Sequence, residues 1–270
     1  MLKRTACIVL AALLSACGGG GSDSPAPSTV IKKPTLSFYG NPLGSTVVKS
    51  SAKAATDTAA SAPESASDAA AETVQTLQDA LAAQGVTATV TPQVMDGTTL
   101  HALIMGENNG LPPTDDQFKT DPNGFLVVNF VLDDMVTPKD DPNQVAALAQ
   151  FRQDLYVFIQ RAHVSGKLVF VIQPIPTCDV PNIADGGSGA RTAADGLIEA
   201  IGNAAGQAGG FPVGGIDGMA YVTDPNTHVV TNTYTAGHLG ADCRTPDAWL
   251  TNQWTTAIAT PIAAALKAGN

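Results

Sequence analysis

The 270-residue chain is poor in aromatics (5%), has only four cysteines, and carries 14 basic against 24 acidic residues. Few aromatics leave an interior that must be filled by small residues, chiefly Ala and Val. The shortage of base sets the net charge at −10; such a field disfavours nucleic acid and polyanionic substrates. After the first 16 residues no apolar run is long enough to cross a bilayer, so no second membrane span is expected. An apolar fraction of 44% excludes a disordered chain and supports one substantial core, while 26 Gly and 18 Pro imply many turns.

The N-terminus reads as an address. Lys3 and Arg4 give a basic start, Thr5 to Leu14 an apolar run too short to span, and Ser15-Ala16 the small residues of a processing site. Residues 1–16 are therefore expected to be a signal peptide. Leu14-Ser15-Ala16-Cys17, followed by Gly18 to Gly21, resembles the lipobox of bacterial lipoproteins. The resemblance implies that Cys17 carries lipid and that the membrane is a partner through that anchor alone. No Asp follows Cys17, which by the same resemblance points to the outer membrane. Removing residues 1–16 takes away two basic groups and no acid, making the mature chain two charges more negative than the whole. Residues 17–33 then form the lipidated Cys and a Gly-, Ser- and Pro-rich tether, and residues 34–270 the folded domain.

Cys7 leaves with the signal and Cys17 is acylated, so Cys178 and Cys243 are the two thiols of an exported body. In an oxidising compartment they are expected to pair, worth about 4 kcal/mol on chain-entropy grounds. The competing reading, a catalytic thiol, needs a His partner and leaves the other cysteine idle.

Within the domain, Thr35 to Tyr39 reads as a strand ending at Gly40. Ala70 to Gln84 reads as a helix, since Val74, Leu77 and Leu81 recur at helical spacing before Gly85. Thr87 to Val94 is a strand candidate and Thr98 to Met105 a short helix. Phe125 to Leu132 has the near-continuous apolar pattern of a strand buried on both faces. Asp141-Pro142 is an N-cap with a first-turn proline, and Leu148, Phe151, Leu155, Phe158 and Ala162 make one apolar stripe down to Gly166. Lys167 to Ile175 is another buried strand. A Gly-rich loop, a helix from Arg191 to Ala205, a strand near Gly218 to Thr223 and an added hairpin through Val229 to Tyr234 follow. The last helix is expected to begin at Thr245-Pro246, to bury Trp249, Leu250 and Trp254, and to be perturbed at Pro261.

Strands alternating with helices predict an α/β domain, a three-layer doubly wound, mostly parallel sheet. Ligands of such sheets bind beyond the carboxyl ends of the strands, where strand order reverses. The site is thus expected from four turns: Gly40-Asn41-Pro42, Asp133-Asp134, Pro176-Thr177-Cys178, and the approach to Asp242.

At these turns the chain resembles the SGNH or GDSL-like hydrolases, over roughly Thr35 to Lys267. Tyr39-Gly40-Asn41-Pro42-Leu43-Gly44 sits where that family has Gly-Asp-Ser-Leu. Val131-Leu132-Asp133-Asp134 sits at Gly-x-Asn-Asp, and Asp242-Cys243-Arg244-Thr245-Pro246 at Asp-x-x-His-Pro. The resemblance implies a flavodoxin-like sheet and, for an active member, a serine hydroxyl activated by a histidine that an acid orients. Here Pro42 stands at the nucleophile, Asp133 at the oxyanion Asn and Thr245 at the histidine. Proline offers neither hydroxyl nor N–H, and a carboxylate opposes an oxyanion. Only Asp242 keeps its type. The expectation is a degenerate site serving as a binding or accessory domain for an acyl or carbohydrate ligand, without cofactor.

Each residue also has an ordinary role. Thr245 before Pro246 suits an N-cap, Asn41-Pro42 a turn, and Asp133-Asp134 with Asp140-Asp141 a solvated loop without recognisable calcium spacing, so no metal is expected. Two alternative sets keep catalysis open. One is Ser45–His238–Asp242, which requires a rebuilt first turn. The other places Ser188, within Gly186-Gly187-Ser188-Gly189-Ala190, as a nucleophile elbow with Asp217 or Asp224 and His238. Ser188 is far from any strand, which weighs against the second. His101, His163 and His228 are expected in surface or hydrogen-bonded roles.

Overall fold

A computed structural model describes residues 33–46, 66–107, 111–177, 192–216, 221–223, 225–226, 230–232, 236–242 and 244–269. Cys17, Cys178, Ser188, Asp217, Asp224, His228 and Cys243 lie outside them, as do the signal peptide and tether.

The elements alternate as the apolar pattern requires: β1 (Thr35–Gly40), α1 (Ala66–Ala83), β2 (Thr89–Pro92), α2 (Leu100–Met105), β3 (Phe125–Asn129), α3 (Pro142–Val164), β4 (Leu168–Ile172), α4 (Ala193–Ala208) and β5 (Phe211–Val213). A hairpin of β6 (Tyr221–Thr223) and β7 (Val230–Asn232) precedes α5 (Ala248–Ala268). The main sheet has five parallel strands in the order β2-β1-β3-β4-β5. This is the doubly wound order of flavodoxin-like folds, reversing between β1 and β3. β6 and β7 pair antiparallel in a separate two-stranded sheet.

Both faces of the sheet are covered, and the central strands β3 and β4 are apolar at both alternating positions. Leu36 and Phe38 pack with Val127, Phe170 and Ile172 under α1 and α5. Tyr39, Leu126, Val128 and Val169 pack on the other face with α2, α3 and α4. There Tyr39, Phe118 and Phe158 meet with ring centroids 4.5–5.8 Å apart, Tyr39 edge-on to both.

Local chemistry explains most boundaries. Asp141 caps α3 by accepting from Asn143 N, with Pro142 in the first turn, as expected. Thr192 and Asp195 form a reciprocal capping box on α4. Two expectations need correction. Thr245 does not cap the last helix: the cap is Asp247, accepting from Leu250 N. Trp249 is not buried but 41% exposed, while Leu250 and Trp254 are buried. The helix continues through Pro261.

The strand β5 is not legible in the sequence. Three residues, Phe211-Pro212-Val213, carry no legible period, yet they complete the sheet beside β4. A proline lies in each edge strand, Pro92 in β2 and Pro212 in β5. The Val90 N–H of β2 is taken by the Gln78 side chain of α1 at 3.1 Å.

Candidate functional site

The turn after β1 is built by backbone geometry. Gly40 has φ +97°, and a Cβ there would overlap the Asn129 carbonyl oxygen; only glycine lets β1 approach β3 so closely. Asn41 N then donates to Asn129 O at 2.6 Å, while Asn129 Nδ2 donates to Asn41 O at 2.8 Å and Pro42 O at 3.3 Å. Asn41 Oδ1 in turn accepts from Val131 N at 3.2 Å. The ends of β1 and β3 are thereby locked at the reversal of strand order, and the chain continues into the short turn Leu43–Thr46, which contains Ser45. The Ser45 side chain lies outside the described set.

Above these strand ends is a crevice of about 810 Å³ lined by three of the four expected turns: Asn41 and Pro42, then Asp133, then Pro174, Ile175 and Thr177. From the fourth, Arg244 and Pro246 contribute, whereas Asp242 and Thr245 do not. Its floor is apolar, with Leu43, Met95, Leu132, Ile175 and Trp254 each no more than 9% exposed. Threonines form much of the rest, including Thr73, Thr98, Thr177 and Thr251. Trp254 is fixed by Nε1 donating to Gln173 O at 2.8 Å.

The acid expected to orient a histidine is occupied otherwise. Asp242 Oδ2 accepts from the Thr245 hydroxyl at 2.6 Å, and Oδ1 from Arg244 N and Thr245 N at 3.1 and 3.0 Å. These donors, the hydroxyl first, hold the carboxyl down at about 2. His238 is not paired with Asp242, correcting that expectation: its Nδ1 lies 2.8 Å from Asp247 Oδ2, and its ring stacks on Trp249 at 4.0 Å. The bridge between Leu239 and Pro246 and the bond from Asp247 N to His238 O hold the two sides of this loop together. His238 is not among the crevice lining.

Asp134 belongs to the neighbouring loop. It accepts from Val136 N, Thr137 N and the Thr137 hydroxyl; these bonds, led by the hydroxyl, lower its carboxyl, with a smaller contribution from the Arg244 charge. Together with Asp133, Asp134 lines a second cavity of about 440 Å³ beside the crevice, where Asp141 and His101 are also found. His101 is not a lone surface residue: its Nδ1 lies 3.1 Å from Asp154 Oδ2, and Asp154 is 3% exposed. Only the packing of α2 against α3 reveals this pair, because 53 positions separate its members. Among the described residues no His, Cys, Asp and Glu grouping could hold a metal ion.

No protein-family model matches the chain, and no curated protein matches it. Among solved structures it is similar to a chain assigned as an SGNH hydrolase from Slackia heliotrinireducens, at 14% identity over 85% of this chain and 99% of that one, with a TM-score of 0.49. It is also similar to TesA, at 17% identity over 86% and 99% of the two chains (TM-score 0.42). A third is a chain assigned as an arylesterase from Agrobacterium tumefaciens, at 18% identity over 85% and 98% (TM-score 0.41).

Proposed function

We propose that the crevice is a binding site for an acyl group and that the domain acts as a binding or accessory module without the serine–histidine chemistry of the hydrolases it resembles. One observation carries this reading: at the position where the resemblance calls for a histidine beside Asp242, the carboxylate accepts a threonine hydroxyl at 2.6 Å. A hydroxyl so placed cannot relay a proton at neutral pH as an imidazole does. Pro42 at the nucleophile position agrees with it. An apolar floor edged with hydroxyls suits a flexible acyl chain ending in a neutral polar group.

The chain's N-terminal sequence supports placing this module at a membrane, tethered through Cys17 with the outer membrane as its site, and a Cys178–Cys243 bond bracing the domain. No described helix is long and apolar enough to cross a membrane.

The test is a titration of the purified domain with octanamide, an acyl chain with a neutral polar end, read by tryptophan fluorescence, alongside a p-nitrophenyl butyrate assay. Saturable quenching without enzyme-like turnover is expected. Labelling of one serine by a fluorophosphonate, abolished in His238→Ala, would overturn the binding-only reading in favour of a hydrolase using Ser45 or Ser188 with His238. The His238–Asp247 pair is the observation that favours this second reading, since an acid on Nδ1 leaves Nε2 as the ring's open nitrogen.

A further inference from the structure

We propose that the cavity between the start of α2 and α3 is a binding site for a primary organic ammonium ion. The cavity shares Thr99, Val131, Leu132 and Asp133 with the larger crevice, but the proposal does not rest on the acyl reading of that crevice. Leu100, Leu132 and Phe151 give the cavity an apolar floor, and its lining includes carboxylates but no lysine or arginine.

Its least ordinary member is Gln144, 2% exposed yet part of the lining. The side-chain nitrogen donates to Asp134 O at 2.9 Å, which fixes the amide's orientation. Its Oε1 is then the other end of a buried amide, and nothing among the described residues donates to it. Although the residue is 2% exposed, that oxygen is not itself fully buried: it is open to the cavity and able to accept from a donor there.

Two further acceptors face the same space. The Asp133 carboxylate is exposed and engaged by no donor among the described residues. His101 gives Nδ1 to the buried Asp154, whose other oxygen accepts from Gln150 Nε2 at 2.8 Å. A neutral imidazole so arranged presents Nε2 as an acceptor. A primary ammonium carries three N–H donors, which matches the amide oxygen, the carboxylate and the imidazole nitrogen, and its alkyl part matches the floor. Asp134 and Asp141 are engaged in their own turns, but their charge deepens the negative potential of a concave site.

The experiment is calorimetric titration of the full domain with butylammonium chloride at fixed ionic strength, repeated with butyltrimethylammonium, which has no N–H. Saturable one-to-one binding is expected, at least tenfold weaker for the trimethyl analogue and at least tenfold weaker in Asp133→Asn. Gln144→Met, of similar volume, provides a second variant with the same expected loss. Absence of saturable binding, equal affinity for the two ammonium ions, or affinity unchanged in Asp133→Asn would each overturn the proposal; the last two would mean mere attraction to an acidic surface.

Discussion

The hydroxyl of Tyr39 donates to Asp121 Oδ2 at 2.7 Å, inside the domain, where Tyr39 is 2% and Asp121 9% exposed. The other oxygen of Asp121 accepts from the Ser37 hydroxyl and Asn123 N, and Lys167 Nζ binds the carbonyls of Asp121 and Asn123. Burial first, then the bond to Asp121 and its charge, pushes the Tyr39 phenol far above its usual value. Tyr39→Phe leaves a buried carboxylate short of one donor and should lower stability by about 1–3 kcal/mol, measured by urea unfolding. A change in the midpoint without a change in slope is expected.

Asn129 is 1% exposed and its side-chain nitrogen donates to the carbonyls of both Asn41 and Pro42. Asn129→Ala should cost about 1–3 kcal/mol by removing the side-chain donor shared by those carbonyls, and should weaken octanamide binding several-fold as the crevice wall loosens. Equal binding in the variant would show that the turn does not shape the crevice.

Acid should destabilise the domain through exposed carboxylates whose native values are depressed: Asp242 to about 2, and Asp96 and Asp134 in the same direction. Such groups stabilise fully above the unfolded carboxylate value and lose that contribution as pH falls through the folded one. Thermal midpoints from this source should therefore hold down to about pH 4 and fall toward pH 2. Solvent screening keeps each contribution small. Thr245→Val removes the leading donor to Asp242, so its midpoint should be lower at neutral pH and its acid fall shallower.

Gly196 lets α4 lie close on the α3 side. A Cβ there would stand 2.6 Å from Leu148 Cδ1 and 2.8 Å from Lys139 Cβ. The leucine tip can turn aside, so Gly196→Ala should cost about 1–3 kcal/mol, read as a fall in the thermal midpoint.

Much of this architecture was legible in sequence because burial on both faces leaves a plain signature. Phe125 to Leu132 and Lys167 to Ile175 predicted central strands, and β3 and β4 fall within them. Asp141-Pro142 set the start of α3 to the residue. The site was less legible. Its place at the strand ends follows from topology, and three expected turns reach the crevice. The partners of its polar groups do not follow, because hydrogen bonds choose among near neighbours. Asp247 took His238, and Thr245 took Asp242, where chain proximity allowed other pairings. The His101–Asp154 pair needed two helices to dock before it existed. β5 escaped because a three-residue strand containing proline shows no alternation.

The prolines of the two border strands have one more effect. Gln93 N reaches inward to Phe38 O, and Val213 O inward to Gln173 N; by alternation along a strand, Pro92 and Pro212 occupy the outward-turned positions. Each removes an amide that a second molecule would need to extend the ribbon, and Gln78 occupies the amide of Val90 as well. Both borders are thus poor templates for stacking one copy on the next, which keeps the sheet from growing by edge-to-edge pairing.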